Sequence, residues 1–305
     1  MMRKASILSS LLLLAILLPV SCEKVNLEEP EGRPEVKDGI KVRFSITDLT
    51  RISFEGEDKA PEVESGLSAA CTRISFVIYQ PDGTVYDAKH QQSADPGFGT
   101  LTTSLPAGNY RIIVLAHSGL GIPTFESWER VKFKDNKVSD TFYCVKDIKV
   151  AEGGSYELEL KRAVSKFRLV VGDAIPRSVT RMKFYYTGGS STFDPITGFG
   201  CVNSRQTEYR EVPADMHGAG SQFEVFTFPH AVEDKLKITV TALNANNETV
   251  VEHVFTAVPI KCNVITQYSG NFFGDTPGGG QGGGNGDVTF TLSFDTSWTT
   301  ITHSY

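Results

Sequence analysis

Apolar and polar residues alternate with a period of two along much of the chain, which is the signature of strands buried on one face. Ile40, Val42, Phe44 and Ile46 set the pattern at the start. Thr72 to Gln80 is rich in β-branched and aromatic residues and runs into Pro81-Asp82-Gly83, so a hairpin is predicted with Thr84 to His90 returning. Further strands are predicted over Gly99–Leu105, Asn109–His117, Phe142–Val150 and Tyr156–Leu160, with turns at Pro106-Ala107-Gly108 and Glu152-Gly153-Gly154. Phe125 to Arg130 reads as a short helical turn. Short strands at this spacing, joined by Gly, Pro and Asp turns, imply a sandwich or Greek key and argue against βαβ units.

The phase of the alternation then changes. Tyr156, Leu158 and Leu160 put the apolar face on even positions, whereas Phe167, Leu169 and Val171 put it on odd ones. One strand cannot change face without a bulge or a new register. Lys161 to Lys166 therefore reads as a joint between two all-β domains, residues 39–162 and 163–305. The second repeats the grammar of the first at Arg181–Tyr186, Phe223–Phe228, Leu236 to Ala242 and Thr249–Ala257, with a turn at Asn244 to Asn247.

The N-terminus has a different character. Arg3 and Lys4 precede an apolar run from Ile7 to Val20 that ends at Ser21-Cys22. The run is short for a permanent span and carries the charged flank of an export signal. Residues 1–21 are expected to be a signal peptide and residues 22–38 a polar tether. Pro19-Val20-Ser21-Cys22 resembles the lipobox of bacterial lipoproteins, with Pro19 where leucine is usual. The resemblance implies a diacylglycerol on the thiol of Cys22, hence a membrane anchor without a transmembrane helix, each buried methylene contributing ~0.8 kcal/mol.

Composition adds limits. The formal charge of −6 becomes −8 when residues 1–21 leave with their two cations, Arg3 and Lys4. An acidic surface argues against nucleic acid, whose affinity comes mostly from basic contacts to phosphate. Cys71, Cys144, Cys201 and Cys262 are widely spaced without CxxC, which argues against zinc or redox chemistry. Two pairings stay within one half each, Cys71–Cys144 and Cys201–Cys262, and four buried thiols are the equal alternative. The histidines, His90, His117, His217, His230, His253 and His303, form no HExxH or i, i+4 pair, and neither a nucleophile elbow nor a phosphate loop is present. Asp194 and Asp215 read as turn formers. Neither an enzyme nor a cofactor is expected.

The C-terminal region has a distinctive build. Gly274 to Gly286 reads GDTPGGGQGGGNG, a flexible coil. Residues 287–295 follow as an amphipathic strand in which Val288, Phe290, Leu292 and Phe294 share one face. Two readings stand level: the last strand of the second sandwich, or a donor strand that completes a neighbouring molecule's sheet.

Three segments of the second half, FYYTGGSSTFD (Phe184–Asp194), VNSRQ (Val202–Gln206) and VPIKCNVITQYSGNFF (Val258–Phe273), join the lipobox-like start and the two all-β halves in a further likeness. Together they resemble the FimB-like fimbrillin-associated anchor lipoproteins of Gram-negative anaerobes, which carry type V pili. The resemblance implies two transthyretin-like β-sandwiches at the outer membrane surface, assembling with other fimbrial subunits. In that family an arginine-specific protease opens stalk subunits near their first strand, whereas anchors keep it; Arg43 and Arg51 lie in the matching region, so a cut stalk subunit, a tip and an anchor all stay open at the level of sequence. The competing function is a surface lipoprotein that binds a host surface or glycan, for which Trp128, Tyr185 and Trp298 would have to cluster.

Overall fold

The structure is a computed structural model, and it describes residues 39–50, 63–274, 291–295 and 301–302. Cys22, Arg51, Val288, Phe290 and Trp298 lie outside them. In the first half the strands are β1 (Ile40–Thr50), β2 (Arg73–Tyr79), β3 (Val85–Gln92), β4 (Thr100–Leu105), β5 (Gly108–His117), β6 (Thr124–Ser127), β7 (Arg130–Lys132), β8 (Thr141–Val150) and β9 (Gly154–Arg162). A helix, α1 (Val63–Ala70), precedes β2. The second half contains β10 (Ser165–Val171), β11 (Val179–Thr187), β12 (Thr192–Asp194), β13 (Phe199–Gly200), β14 (Arg205–Glu211), β15 (Ser221–Thr227), β16 (Asp234–Asn244), β17 (Thr249–Ile260), β18 (Ile265–Gly270), β19 (Thr291–Asp295) and β20 (Ile301–Thr302).

Seven strands form one sheet in the order β3-β2-β5-β8-β9-β1-β4. The β8–β9 pairing is confined to Phe142–Arg162 and Tyr143–Lys161, so the ribbon is free to fold over at that point. Its two wings share one core: Val42 and Phe44 of β1, Ile74 and Phe76 of β2, Ile112 and Val114 of β5, and Leu158 and Leu160 of β9 all belong to a single buried cluster. Burial of such side chains is worth about 1.5–3 kcal/mol each. The second half packs a five-stranded sheet, β15-β10-β18-β19-β20, on a four-stranded one, β14-β11-β16-β17. Phe167, Leu169, Phe184, Tyr186, Ile238 and Val240 fill the space between them. The described residues are all-β apart from α1 and short turns, and they are built as β-sandwiches.

The predicted helical turn at Phe125–Arg130 does not form. That segment is the β6–β7 hairpin, with Phe125 opposite Val131, and β7 pairs onward with β12 of the second half. Sequence-local preference yields here to a long-range ladder, a frequent outcome for short segments. Helix α1 was not anticipated; Leu67 and Ala70 pack it against the first core.

A third buried cluster fills the seam between the two cores. Val131 and Phe133 come from the first half, Phe193 and Phe228 from the second, and Ala163 and Val164 from the connecting segment itself. Phe133 and Phe228 rings lie 5.3 Å apart, and Phe193 stacks on Phe228 at 4.9 Å. Arg162 is nearly buried and grips Asp140 with both arms of its guanidinium, at 2.7 and 3.0 Å. It also donates to the Asn263 side-chain oxygen at 2.9 Å and lies 4.6 Å from the centre of the Phe142 ring. Gln206 donates to the Asn136 carbonyl across the same seam. The GGSS turn that follows β11 is packed tightly: Gly188 has φ +95°, and a Cβ on Gly189 would collide with the Thr227 hydroxyl.

Candidate functional site: the first and last strands

β1 is an interior strand. It runs parallel to β9 and antiparallel to β4, with Phe44 between Tyr156 and Leu101 in register. Val42 and Phe44 are wholly buried, and Phe44 stacks on Tyr156 with ring centres 5.4 Å apart. This burial follows from the alternation, which sends every second side chain inward. Arg43 takes the opposite parity and is exposed, its Nε donating to the Ser45 hydroxyl at 3.3 Å.

β19 is seated differently. It pairs antiparallel with β18, Leu292 opposite Tyr268 and Phe294 opposite Thr266. On its far side, among the described residues, it meets only the two-residue β20. Tyr268 and Thr266 are themselves in register with the core residues Leu169 and Phe167 through β10. The ladder thus puts positions 292 and 294 in register with those two residues. The last described residue before β19 is Gly274, and the glycine-rich sequence fills the interval.

None of the described cysteines is in a disulfide; all four are thiols, so neither Cys71–Cys144 nor Cys201–Cys262 forms. Cys71 donates to the Leu67 carbonyl and Cys262 to the Ala163 carbonyl. Burial pushes the Cys262 thiol up to about 11 and raises Cys144 as well, which disfavours the thiolate needed for reactivity. Cys71 is buried and Cys144 and Cys262 are half-buried, as small packed hydrophobes are, whereas Cys201 is exposed.

The remaining candidate chemistry is structural. Asp194 caps its own turn by accepting from the Ile196 and Thr197 amides. His230 is stapled between Asp234 and the Val202 carbonyl. His253 meets the Phe272 carbonyl through Nε2 at 2.8 Å. His117 is 1% exposed, and burial, aided by the Arg73 charge, lowers its pKa to about 4.

Of the three aromatic residues considered for a glycan surface, the two described ones, Trp128 and Tyr185, do not share a face. Trp128 packs on Tyr79, with ring centres 6.1 Å apart, and lies under the Arg111 guanidinium at 4.9 Å. Tyr185 projects from the outer face of a different sheet, and Trp298 is outside the described residues. Sequence reading did not identify the groups that meet on that outer face; their one signal is the alternation of β11, which puts Arg181, Lys183 and Tyr185 on a single side.

A family model for fimbrillin-A associated anchor proteins, Mfa1 and Mfa2, matches residues 36–303. No curated protein matches significantly. Among solved structures, an adhesin candidate from Bacteroides ovatus is 13% identical, with 72% of this chain and 82% of that one covered and a TM-score of 0.49. Another, from Bacteroides thetaiotaomicron, is 10% identical, covering 87% and 97% with a TM-score of 0.48. The fimbrial anchor protein Mfa2 from Porphyromonas gingivalis is 13% identical, covering 88% and 100% with a TM-score of 0.45.

Proposed function

The chain belongs to the family of fimbrillin-A associated anchor proteins, and from that premise we propose that it is a lipoprotein of the outer membrane that joins related fimbrial subunits by β-strand addition. Residues 39–162 and 163–305 act as its two sandwiches. Cys22 carries the lipid, and the polar tether to residue 38 separates the folded part from the membrane. The partners are other fimbrial subunits; the reading requires neither an active site nor a cofactor.

The observation that carries the proposal is the seating of β1. A subunit opened by cleavage near its first strand would leave a groove between β9 and β4. Here β1 fills that position, and Phe44 is wholly buried. This supports an anchor that keeps its first strand and so ends the polymer. The donor function then falls to the segment from Val288 to Phe294, whose glycine-rich leader has an r.m.s. reach of about 20 Å. An incoming or outgoing strand gains main-chain ladder bonds together with alternate side chains in pockets.

The lipid half of the proposal is tested by Cys22→Ala in cells. The variant is expected to leave the washed membrane fraction, because acyl chains supply the anchoring energy. Full retention of Cys22→Ala in the membranes contradicts it.

A further inference from the structure

The outer face of the β14-β11-β16-β17 sheet carries a recess of about 440 Å³. Strand register builds it. Tyr209, Lys183, Thr241 and Glu252 form one row across the four strands, and Arg181 and Leu243 belong to the next. Thr241 and Leu243 make the floor; they are only 5% and 6% exposed although they lie on the outer side. The β16–β17 turn, with Asn247 in the left-handed region at φ +67°, closes one end.

Two cations line this recess. Elsewhere in the fold arginine pairs with carboxylate, as in Arg111–Asp147, Arg162–Asp140, Arg168–Glu224 and Arg210–Glu208. Among the described residues Arg181 and Lys183 take part in no ion pair. The Arg181 guanidinium instead lies over the Tyr209 ring, 5.1 Å from its centre, which fixes its position while leaving its N–H groups to a ligand. On a chain of net charge −6, two adjacent unpaired cations in a concave site select an anion.

The remaining lining narrows the class. Glu252 accepts a hydrogen bond from the Thr241 hydroxyl at 2.8 Å, and a carboxylate has further lone pairs to offer O–H donors. That carboxylate disfavours a polyacidic peptide. On the two inner strands of the recess an extended peptide also finds no main-chain partner, because β11 and β16 are laddered on both sides. A ligand with one anionic group and several hydroxyls fits both charges and acceptors. We propose that this recess binds an acidic saccharide, Arg181 and Lys183 holding its carboxylate or sulfate and Glu252 and Asn247 its hydroxyls. The proposal stands independently of the anchor reading.

The test is titration calorimetry of the mature protein with hyaluronan oligosaccharides, dextran sulfate, neutral dextran and poly-glutamate. Hyaluronan is expected to bind if carboxylate is the anion recognised, dextran sulfate if sulfate is, and neutral dextran to bind neither wild type nor variants. Arg181→Gln and Lys183→Gln should each weaken binding about tenfold or more, the loss expected for a charged hydrogen bond. Lys183→Arg keeps the charge and should retain binding within about threefold, which separates recognition from misfolding. Lys237→Gln, four residues before Thr241 on β16, should change nothing. Poly-glutamate binding as tightly as either acidic glycan overturns the proposal, as does an equal loss in Lys237→Gln or the absence of binding to both acidic glycans.

Discussion

β1 and β19 are held in contrasting ways. β1 is laddered to β9 over Val42–Thr50 on one side and to β4 over Ile40–Ser45 on the other, and it buries Phe44 against Tyr156. β19 leans on β18, has among the described residues only the two-residue β20 beyond it, and follows a glycine-rich segment. A strand with long partners on both sides opens only with the sheet. One at the margin of its sheet opens locally, at a small fraction of the global stability. The contrast makes β1 part of the body and, on the proposed reading, gives the exchange to β19.

Changes to the body should have the largest effects. Phe44→Ala removes a fully buried ring from an interior strand and is expected to destabilise the first half by about 3–5 kcal/mol. Chemical denaturation of the variant measures this; a loss under 1 kcal/mol would show that β1 is less essential than its place in the sheet implies. Arg162→Ala leaves Asp140 without its bidentate partner at the seam and should cost about 3–5 kcal/mol. If the seam couples the halves, the variant should also split one unfolding transition into two, whereas a single unshifted transition would count against the coupling.

Much of the body was legible in the chain. The alternation at Val42, Phe44 and Ile46 and at Phe167, Leu169 and Val171 identified buried faces, because a strand's period ties side-chain polarity to side. The seam was not. Lys161 to Lys166 reads as a charged connector, yet Arg162, Ala163, Val164 and Ser165 are buried, since β7 and β12 pair across the halves and enclose them. Such pairing depends on strand order, which periodicity does not encode. The cysteine pairings failed for the same reason, as spacing along a chain does not fix Cα separations. The recess around Arg181 and Lys183 was hidden because its walls come from four strands brought together only by the sheet. Positions 292 and 294 were recognisable as an apolar row, but not their register against Tyr268 and Thr266.

A smaller effect separates body from terminus by pH. His117 is buried at the edge of the seam, its ring 5.6 Å from that of Phe133. Its folded pKa of about 4 lies below the ordinary 6.5, so between those values the unfolded chain takes up a proton that the folded chain refuses. Stability is therefore complete above pH 6.5 and falls as pH drops towards 4, by about 3 kcal/mol. His117→Phe should remove that part of the pH dependence in thermal melts while leaving association with other subunits unchanged. An identical slope in the variant would contradict the assignment.

The smallest stability change and the sharpest functional one are expected together, at the last strand. Truncation after Gly286 removes β19 and β20 with the apolar row from Val288 to Phe294. The most direct measurement is a thermal melt of the truncated mature protein beside a co-purification of related fimbrial subunits with it. The account predicts a melt lowered by less than about 5 °C, on the order of 1 kcal/mol for a domain of this size, with subunit association lost. Unfolding of the second half on truncation, or undiminished association, contradicts it.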